Sequence, residues 1–282
     1  MLKITILTDN LVRKRGLLAE HGLSLWIEHD GEYLLFDTGQ TSVFAHNARE
    51  MGIDLAKTKA IVISHGHYDH GGGLVFYDQL FSSPRVFVHP DALLPKYLKA
   101  NQFDQQHRAI GFPWQLTDLP DLEHHLMRNT ATMQVGENAA LFSDTPQKVD
   151  FEKVADDLLI EKNGTMVQDG MHDEQFLVID QPEGLTVIVG CSHPGIVNIL
   201  EYVRLFYPDK PVHTLIGGMH LEQVSAERLQ KTIKAFRAMD IKQIIPLHCT
   251  GQSVIWSLKK ALGDRVLILC TGETVEVPSK SV

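Results

Sequence analysis

The stretch Ala60-Ile61-Val62-Ile63-Ser64-His65-Gly66-His67-Tyr68-Asp69-His70-Gly71-Gly72-Gly73 decides how this chain is read. Ala60–Ser64 is a continuous run of strand length, the pattern of a strand buried on both faces. Directly after it, four ligand-type side chains fall within six residues. Side chains alternate along an extended strand, so His65 and His67 project to the same side and can meet one metal ion. Asp69 and His70 follow after a turn and offer an oxygen and a nitrogen to a second ion close by. The three glycines let the backbone turn without side chains crowding the place. The competing reading is a solvated polar loop, and four ligand types in six residues behind a buried strand disfavour it.

Working outward, the chain has 282 residues, of which 44% are hydrophobic and 22% charged. That composition belongs to an ordinary folded protein and excludes a disordered, collagen-like or coiled-coil chain. The formal net charge of −9 argues against nucleic acid or an anionic membrane surface as a partner. The start, Met1 to Asn10, reads as a strand rather than a signal peptide, and no run reaches the length of a membrane-spanning helix. Three cysteines make no disulfide framework, so a cytoplasmic, reduced protein is expected. The fifteen histidines are the unusual feature, since histidine is the commonest metal ligand.

Strand signals cover Ile4–Leu7, Leu23–Glu28 and Glu32–Phe36, the last two joined at Asp30-Gly31 as a hairpin. A helix is expected over Ser42–Met51, stopped by Gly52, and a strand over Arg85–Val88. Further on, strands are read at Phe176–Asp180, Leu185–Val189, Val212–Ile216, Gln243–Leu247 and Val266–Leu269. Helices are read at Pro194–Phe206, Ala226–Met239 and Ser253–Leu262. Strand–helix alternation mixed with hairpins indicates an α/β fold with mixed sheets. Residues 91–170 show weak periodicity and read as a cap or insertion within a single domain spanning 1–282.

The His65–His70 motif resembles the signature of the metallo-β-lactamase superfamily. Leu35-Phe36-Asp37-Thr38-Gly39 is similar to its earlier strand-end aspartate motif. Leu185–Gly190 running into Cys191-Ser192-His193 is similar to its later ligand motif, and Ile245-Pro246-Leu247-His248 to its last histidine motif. A narrower resemblance rests on Thr8-Asp9-Asn10, Ala19–Ser24, Cys191–Asn198, Gly217–Leu221 and His248–Gly251. That branch is described as 7,8-dihydropterin-6-methyl-4-(β-D-ribofuranosyl)-aminobenzene-5′-phosphate synthase-like. The resemblance implies a four-layer αββα sandwich with a one- or two-metal site along one edge of its sheets.

On that frame His65, His67 and His193 are expected around one ion, and Asp69, His70 and His248 around the other. Either Cys191 or His193 can fill the strand-end ligand position; His193 is preferred, with Cys191 a small buried residue. His220 ends a strand in the same way and is placed in the pocket as a ligand, a general acid or a contact to a substrate anion. Asp37 is expected to orient a metal-bound histidine. Asp9, Asn10 and His21 come from family-like segments near the pocket, with no role derived. Arg108 is a candidate for a substrate phosphate, although a plain surface arginine is the simpler explanation. The eight remaining histidines read as structural or surface residues.

Two divalent ions can share a hydroxide and lower the pKa of bound water, and N/O ligation suits zinc, manganese or iron. The leading expectation is a dinuclear hydrolase with a metal-bridging hydroxide, acting on a small phosphate ester or phosphodiester, with a phosphorylated pterin among the candidates. Asp69 and His220 would carry its catalysis. The alternatives are a metal-dependent binding or sensor module without turnover, and an iron enzyme that uses oxygen on the same fold.

Overall fold

A computed structural model describes residues 1–277. β1 (Leu2–Thr8), β2 (Ser24–His29) and β3 (Glu32–Phe36) form an antiparallel meander. Its hairpin turns at Asp30-Gly31, both with positive φ, as the sequence requires of a tight two-residue turn. After α1 (Val43–Glu50), β4 (Ala60–Val62) and β5 (Arg85–Val88) add in parallel. β6 (Lys96–Leu98) and β7 (Arg108–Ala109) leave this sheet, and β8 (Leu126–Arg128) returns to its edge. β9 (Met133–Gly136) and β10 (Ala139–Phe142) then open a second sheet. β11 (Leu158–Lys162) and β12 (Thr165–Gln168) pair with β6 and β7 in a separate four-stranded sheet.

The second sheet continues through β13 (Phe176–Gln181) and β14 (Gly184–Val189). α2 (Ile196–Phe206) leads to β15 (Val212–Gly218), and α3 (Ala226–Ala238) leads to β16 (Gln243–Leu247). These crossovers make β14, β15 and β16 parallel. α4 (Gln252–Leu262) follows, and β17 (Thr274–Val277) pairs with β1. The two large sheets run β17-β1-β2-β3-β4-β5-β8 and β16-β15-β14-β13-β10-β9.

The alternation of side chains explains the layers. In β3 and β4, Leu34, Phe36, Ala60 and Val62 face the other sheet, while Leu35 and Ile61 face outward under α1. In the second sheet, Ile188, Ile216 and Ile245 meet them between the sheets. Val187, Leu215 and Ile244 point the other way, onto Leu200 of α2, Ile233 and Phe236 of α3 and Leu258 of α4. Both sheets are therefore buried on both faces, which is the four-layer αββα sandwich. The near-continuous apolar runs of β4 and β14 follow from this.

Three sequence-based expectations need correction. Val266–Leu269 is not a strand: its pairing is a single bridge from Val266 to Ile244, with the Leu267 N–H donating to the Ile244 carbonyl at 2.9 Å, and Leu267 and Leu269 pack against the core between the sheets. The closing strand is Thr274–Val277 instead. Pro194 lies outside α2, because Gly195 has φ of 107° and the helix begins at Ile196. Residues 91–170 divide into two parts, the cap sheet built from β6, β7, β11 and β12 and the stretch through β8, β9 and β10 that serves the large sheets. No helix among the described residues is long and apolar enough to cross a membrane.

Candidate metal centre

The parallel strands of both sheets finish at one edge, where α/β folds place their sites. His65 follows β4 closely, Cys191 and His193 follow β14, His220 follows β15 and His248 follows β16. Asp9 and Asn10 follow β1, and Asp37 follows β3. Just past these strands Asp37, Ser192, His220 and His248 take left-handed backbone, with φ of 58°, 63°, 46° and 50°. Such strain gathers at functional sites and persists only where neighbours fix it. Here the neighbours are visible. Asp9 Oδ1 accepts the His248 N–H at 2.7 Å, Glu174 Oε1 accepts the Ser192 N–H at 2.8 Å, and the Asp37 N–H donates to Val62 at 2.8 Å.

Three imidazoles form one cluster. His65 Nε2 is 3.0 Å from His67 Nδ1, and the His193 ring stands edge-on to both, at 5.0 and 4.9 Å between centroids. One nitrogen of each lies within 4.8 Å of the other two. All three are buried, and burial together with neighbouring positive groups pushes their pKa values down, for His67 to about 3. They are therefore neutral, the form that binds a cation. His67 Nε2 and both ring nitrogens of His193 are buried without a hydrogen-bond partner. Buried nitrogens in that state cost free energy unless something takes their lone pairs or protons.

The second cluster surrounds Asp69. Its Oδ2 is 3.1 Å from His248 Nε2, 3.2 Å from His21 Nε2 and 3.8 Å from His70 Nε2. Burial alone would raise the Asp69 pKa, but His70, His21 and His248 outweigh it and hold the carboxyl well below its usual range. His70 Nε2 faces the Cys191 sulfur at 3.1 Å, and its Nδ1 meets Asp37 Oδ2 at 2.6 Å. The two carboxylates overcome burial and raise the His70 pKa to about 9. His248 Nδ1 contacts Asn10 Oδ1 at 2.9 Å, and His21 Nδ1 contacts Asn10 Nδ2 at 3.3 Å.

The structure thus brings together His65, His67, Asp69, His70, His193 and His248, with Asp37, Asn10 and His21 in contact with them. Cys191 and His193 lie close together, their ligand atoms and one of His220 all within 4.8 Å of one another. His193 faces the imidazole cluster, while the Cys191 sulfur faces His70. The His220 ring lies 4.3 Å from that of His193 between centroids, tilted by 48°, and its Nδ1 is buried and unpartnered. Arg108 is exposed on the wall of the same pocket, which holds about 570 Å³.

Several supporting residues escaped the sequence reading. Glu174 is fully buried and accepts the N–H groups of Cys191, Ser192 and His193 at 3.1, 2.8 and 3.3 Å; burial pushes its pKa up to about 8. Ser64 donates its N–H and hydroxyl to Asp37 at 2.7 and 2.8 Å, and its oxygen is 2.9 Å from His65 Nδ1. A Cβ on Gly190 would fall 2.1 Å from that hydroxyl oxygen, so the glycine makes room for it. Asp173 accepts the Gly66 N–H at 2.8 Å and is paired with the buried Lys96. Cys249 receives the His220 N–H on its sulfur at 3.3 Å. The only signal in sequence was the polar run Asp173-Glu174-Gln175 ahead of a buried strand.

The sequence model of the Metallo-beta-lactamase superfamily matches residues 18–237 of this chain. The chain belongs to the metallo-β-lactamase superfamily. Within the superfamily, a solved metal-dependent hydrolase, Tm1679, is similar with 32% identity and a TM-score of 0.84, covering 98% of this chain and 99% of that one. The 7,8-dihydropterin-6-methyl-4-(β-D-ribofuranosyl)-aminobenzene-5′-phosphate synthase of Methanocaldococcus jannaschii is 31% identical over 250 residues, 83% of this chain and 82% of that protein. A second protein of that organism, MJ0448, is 30% identical over 91% of this chain and 94% of its own length. A diphosphatase of the PhnP family shares the superfamily fold at 12% identity and a TM-score of 0.54. Superfamily members typically bind divalent metals, and the unpartnered nitrogens and carboxylate oxygens gathered here fit such ions.

Proposed function

We propose that this protein is a metal-dependent hydrolase of phosphate esters or phosphodiesters. The observation that carries the reading is the buried, unpartnered ring nitrogens of the neutral His67 and His193, both of which line the pocket. His65, His67 and His193 would hold one divalent ion, and Asp69, His70 and His248 the other, with Cys191 beside the second. Bound there, the ions would supply an activated water and positive charge against a developing anion. Asp37 fixes the His70 ring by its Nδ1, and Asn10 does the same for His248, so both present Nε2 to the pocket. His220 faces the pocket with a buried, uncommitted Nδ1 and would hand a proton to the departing group. The phosphate in the name of the synthase relative supports a phosphorylated substrate. Zinc, manganese and iron all suit the ligand types.

The test begins with elemental analysis of protein purified without chelator. Two equivalents of metal are expected, with hydrolysis of phosphodiester or phosphomonoester probes that chelation abolishes and one of the three metals restores. Opening of lactones or thioesters with phosphate esters untouched would overturn the reading. The 31% relative favours one second reading, a synthase acting on a phosphorylated pterin precursor in the same pocket. Turnover of such a precursor without ester hydrolysis would select it.

A further inference from the structure

Arg228 stands in the first turn of α3, and its side chain lines the pocket together with His193 and His220. Its Nε is buried and has no hydrogen-bond partner among the described residues. Glu152 is the carboxylate whose charge acts on it, but Glu152 is already engaged, accepting the N–H groups of Val197 and Asn198 at 3.1 and 2.8 Å. Asp157 and Glu222 also line the pocket, both exposed to solvent, where water screens them. A half-buried guanidinium held in a pocket with an unsatisfied donor is costly unless a ligand supplies the anion. Its planar fork suits a carboxylate or phosphate. The cap sheet contributes a wall of another kind, with Leu98, Ile110 and Leu158 beside Tyr68.

We infer that Arg228 seats a second anionic group of the substrate, a carboxylate or a phosphate distinct from the reacting one. The group is carried on an apolar or aromatic body lying against Tyr68, Leu98, Ile110 and Leu158. The inference rests on the phosphate-ester reading for the reacting group, and it makes the substrate a doubly anionic molecule with an apolar middle. Uncharged or singly charged esters then bind without the contact that Arg228 provides.

Calorimetric titration of the metal-loaded protein tests this with phenylphosphonate, 3- and 4-carboxyphenylphosphonate and 1,4-phenylenebisphosphonate, whose carbon–phosphorus bonds ester hydrolysis does not cleave. At least one doubly anionic probe is expected to bind about tenfold tighter than phenylphosphonate, the scale of one charge-assisted contact. The carboxylate and bisphosphonate probes tell which anion is preferred. Arg228→Gln should remove the gain, and Arg228→Lys should keep part of it, which guards against a folding defect in the first variant. A gain that survives Arg228→Gln, or its loss only in Arg108→Gln, overturns the inference, as does the lack of any gain. Benzoate in the same titration reads Arg228 without phosphate, and weaker binding by Arg228→Gln is expected. If metal leaves phenylphosphonate binding unchanged while benzoate still depends on Arg228, the phosphate-ester reading fails and the anion seat stands.

Discussion

Asn10 and His248 are separated by 238 positions in sequence, yet Asn10 Oδ1 lies 2.9 Å from His248 Nδ1. The contact ties the first strand of one sheet to the last parallel strand of the other, across the edge where the pocket opens. It also leaves His248 Nε2 as the nitrogen turned toward Asp69, 3.1 Å away. Residues that orient a metal-binding imidazole through its second nitrogen govern affinity without touching the ion. Asn10→Ala should therefore weaken metal binding at the Asp69 cluster by about 10- to 100-fold. Asn10 is exposed, so the fold should melt within a few degrees of the parent. Chelator competition checks the affinity, and calorimetry the stability.

Asp37 provides a stronger case on the opposite side of the cluster. Its carboxylate is wholly buried and takes three contacts, from Ser64 N, Ser64 Oγ and His70 Nδ1. In Asp37→Asn the amide nitrogen cannot accept, so one of these contacts turns repulsive and His70 loses its fixed tautomer. The expected outcome is loss of one metal equivalent under dilute conditions and lower thermal stability of the metal-free protein as well. Elemental analysis after dialysis and a melting curve with chelator separate the two effects. An unchanged metal content would remove Asp37 from the role proposed for it.

Much of this arrangement could be read from the chain, because strand ends carry both signals at once. Val62 and Ile245 are buried between sheets, and a few residues later His65 and His248 stand at the edge, so apolar run and ligand type adjoin in sequence. The supports were hidden for a physical reason. Glu174 serves backbone N–H groups 17 to 19 residues away, and Asp173 serves Gly66 at a separation of 107. Any acidic residue can do so, and no spacing announces it. Arg228 is one charge among several on an amphipathic helix, and nothing in its spacing singles it out. Val266–Leu269 misled because apolar side chains record burial, whereas a strand also needs a run of neighbours for its backbone, and here the pairing to Ile244 ends after one bridge.

Lys96 shows how the cap sheet bears on the centre. Its ammonium is buried and bonds Asp169 and Asp173, the latter at 3.0 Å, while Asp173 holds the Gly66 N–H between His65 and His67. His67 and His89 also feel this cluster. Lys96→Met leaves two buried carboxylates without their cation and should destabilise the protein by about 3–5 kcal/mol. Burial pushes Asp173 up, but Lys96 and the Gly66 N–H outweigh it and hold its pKa below the usual value. A carboxyl depressed in the folded state contributes stability above its unfolded pKa, about 3.9, and loses it as pH falls through the folded value. Removing Lys96 lets burial dominate, so the variant should take up protons and unfold at a higher pH than the parent. Circular dichroism along an acid titration measures both midpoints.

Gly66 separates the first two histidines, and its place admits no side chain. A Cβ there would lie 2.4 Å from the carbonyl oxygen of Ala92 and 2.8 Å from the Cε of Lys96. The first obstacle is backbone and cannot rotate away; the second is a lysine tethered at both carboxylates. Gly66→Ala must therefore shift the His65–His67 loop against the cap sheet. Overpacking of this kind costs about 1–3 kcal/mol. The shift also parts His65 from His67, whose nitrogens are 3.0 Å apart. The expected result is a folded protein with lower melting temperature that retains the Asp69 cluster and loses the ion at His65, His67 and His193. Cobalt substitution followed by absorption spectroscopy counts the occupied sites. Two cobalt ions bound with parental affinity in Gly66→Ala would show that the loop tolerates the methyl group and that the fit with Ala92 has no bearing on the centre.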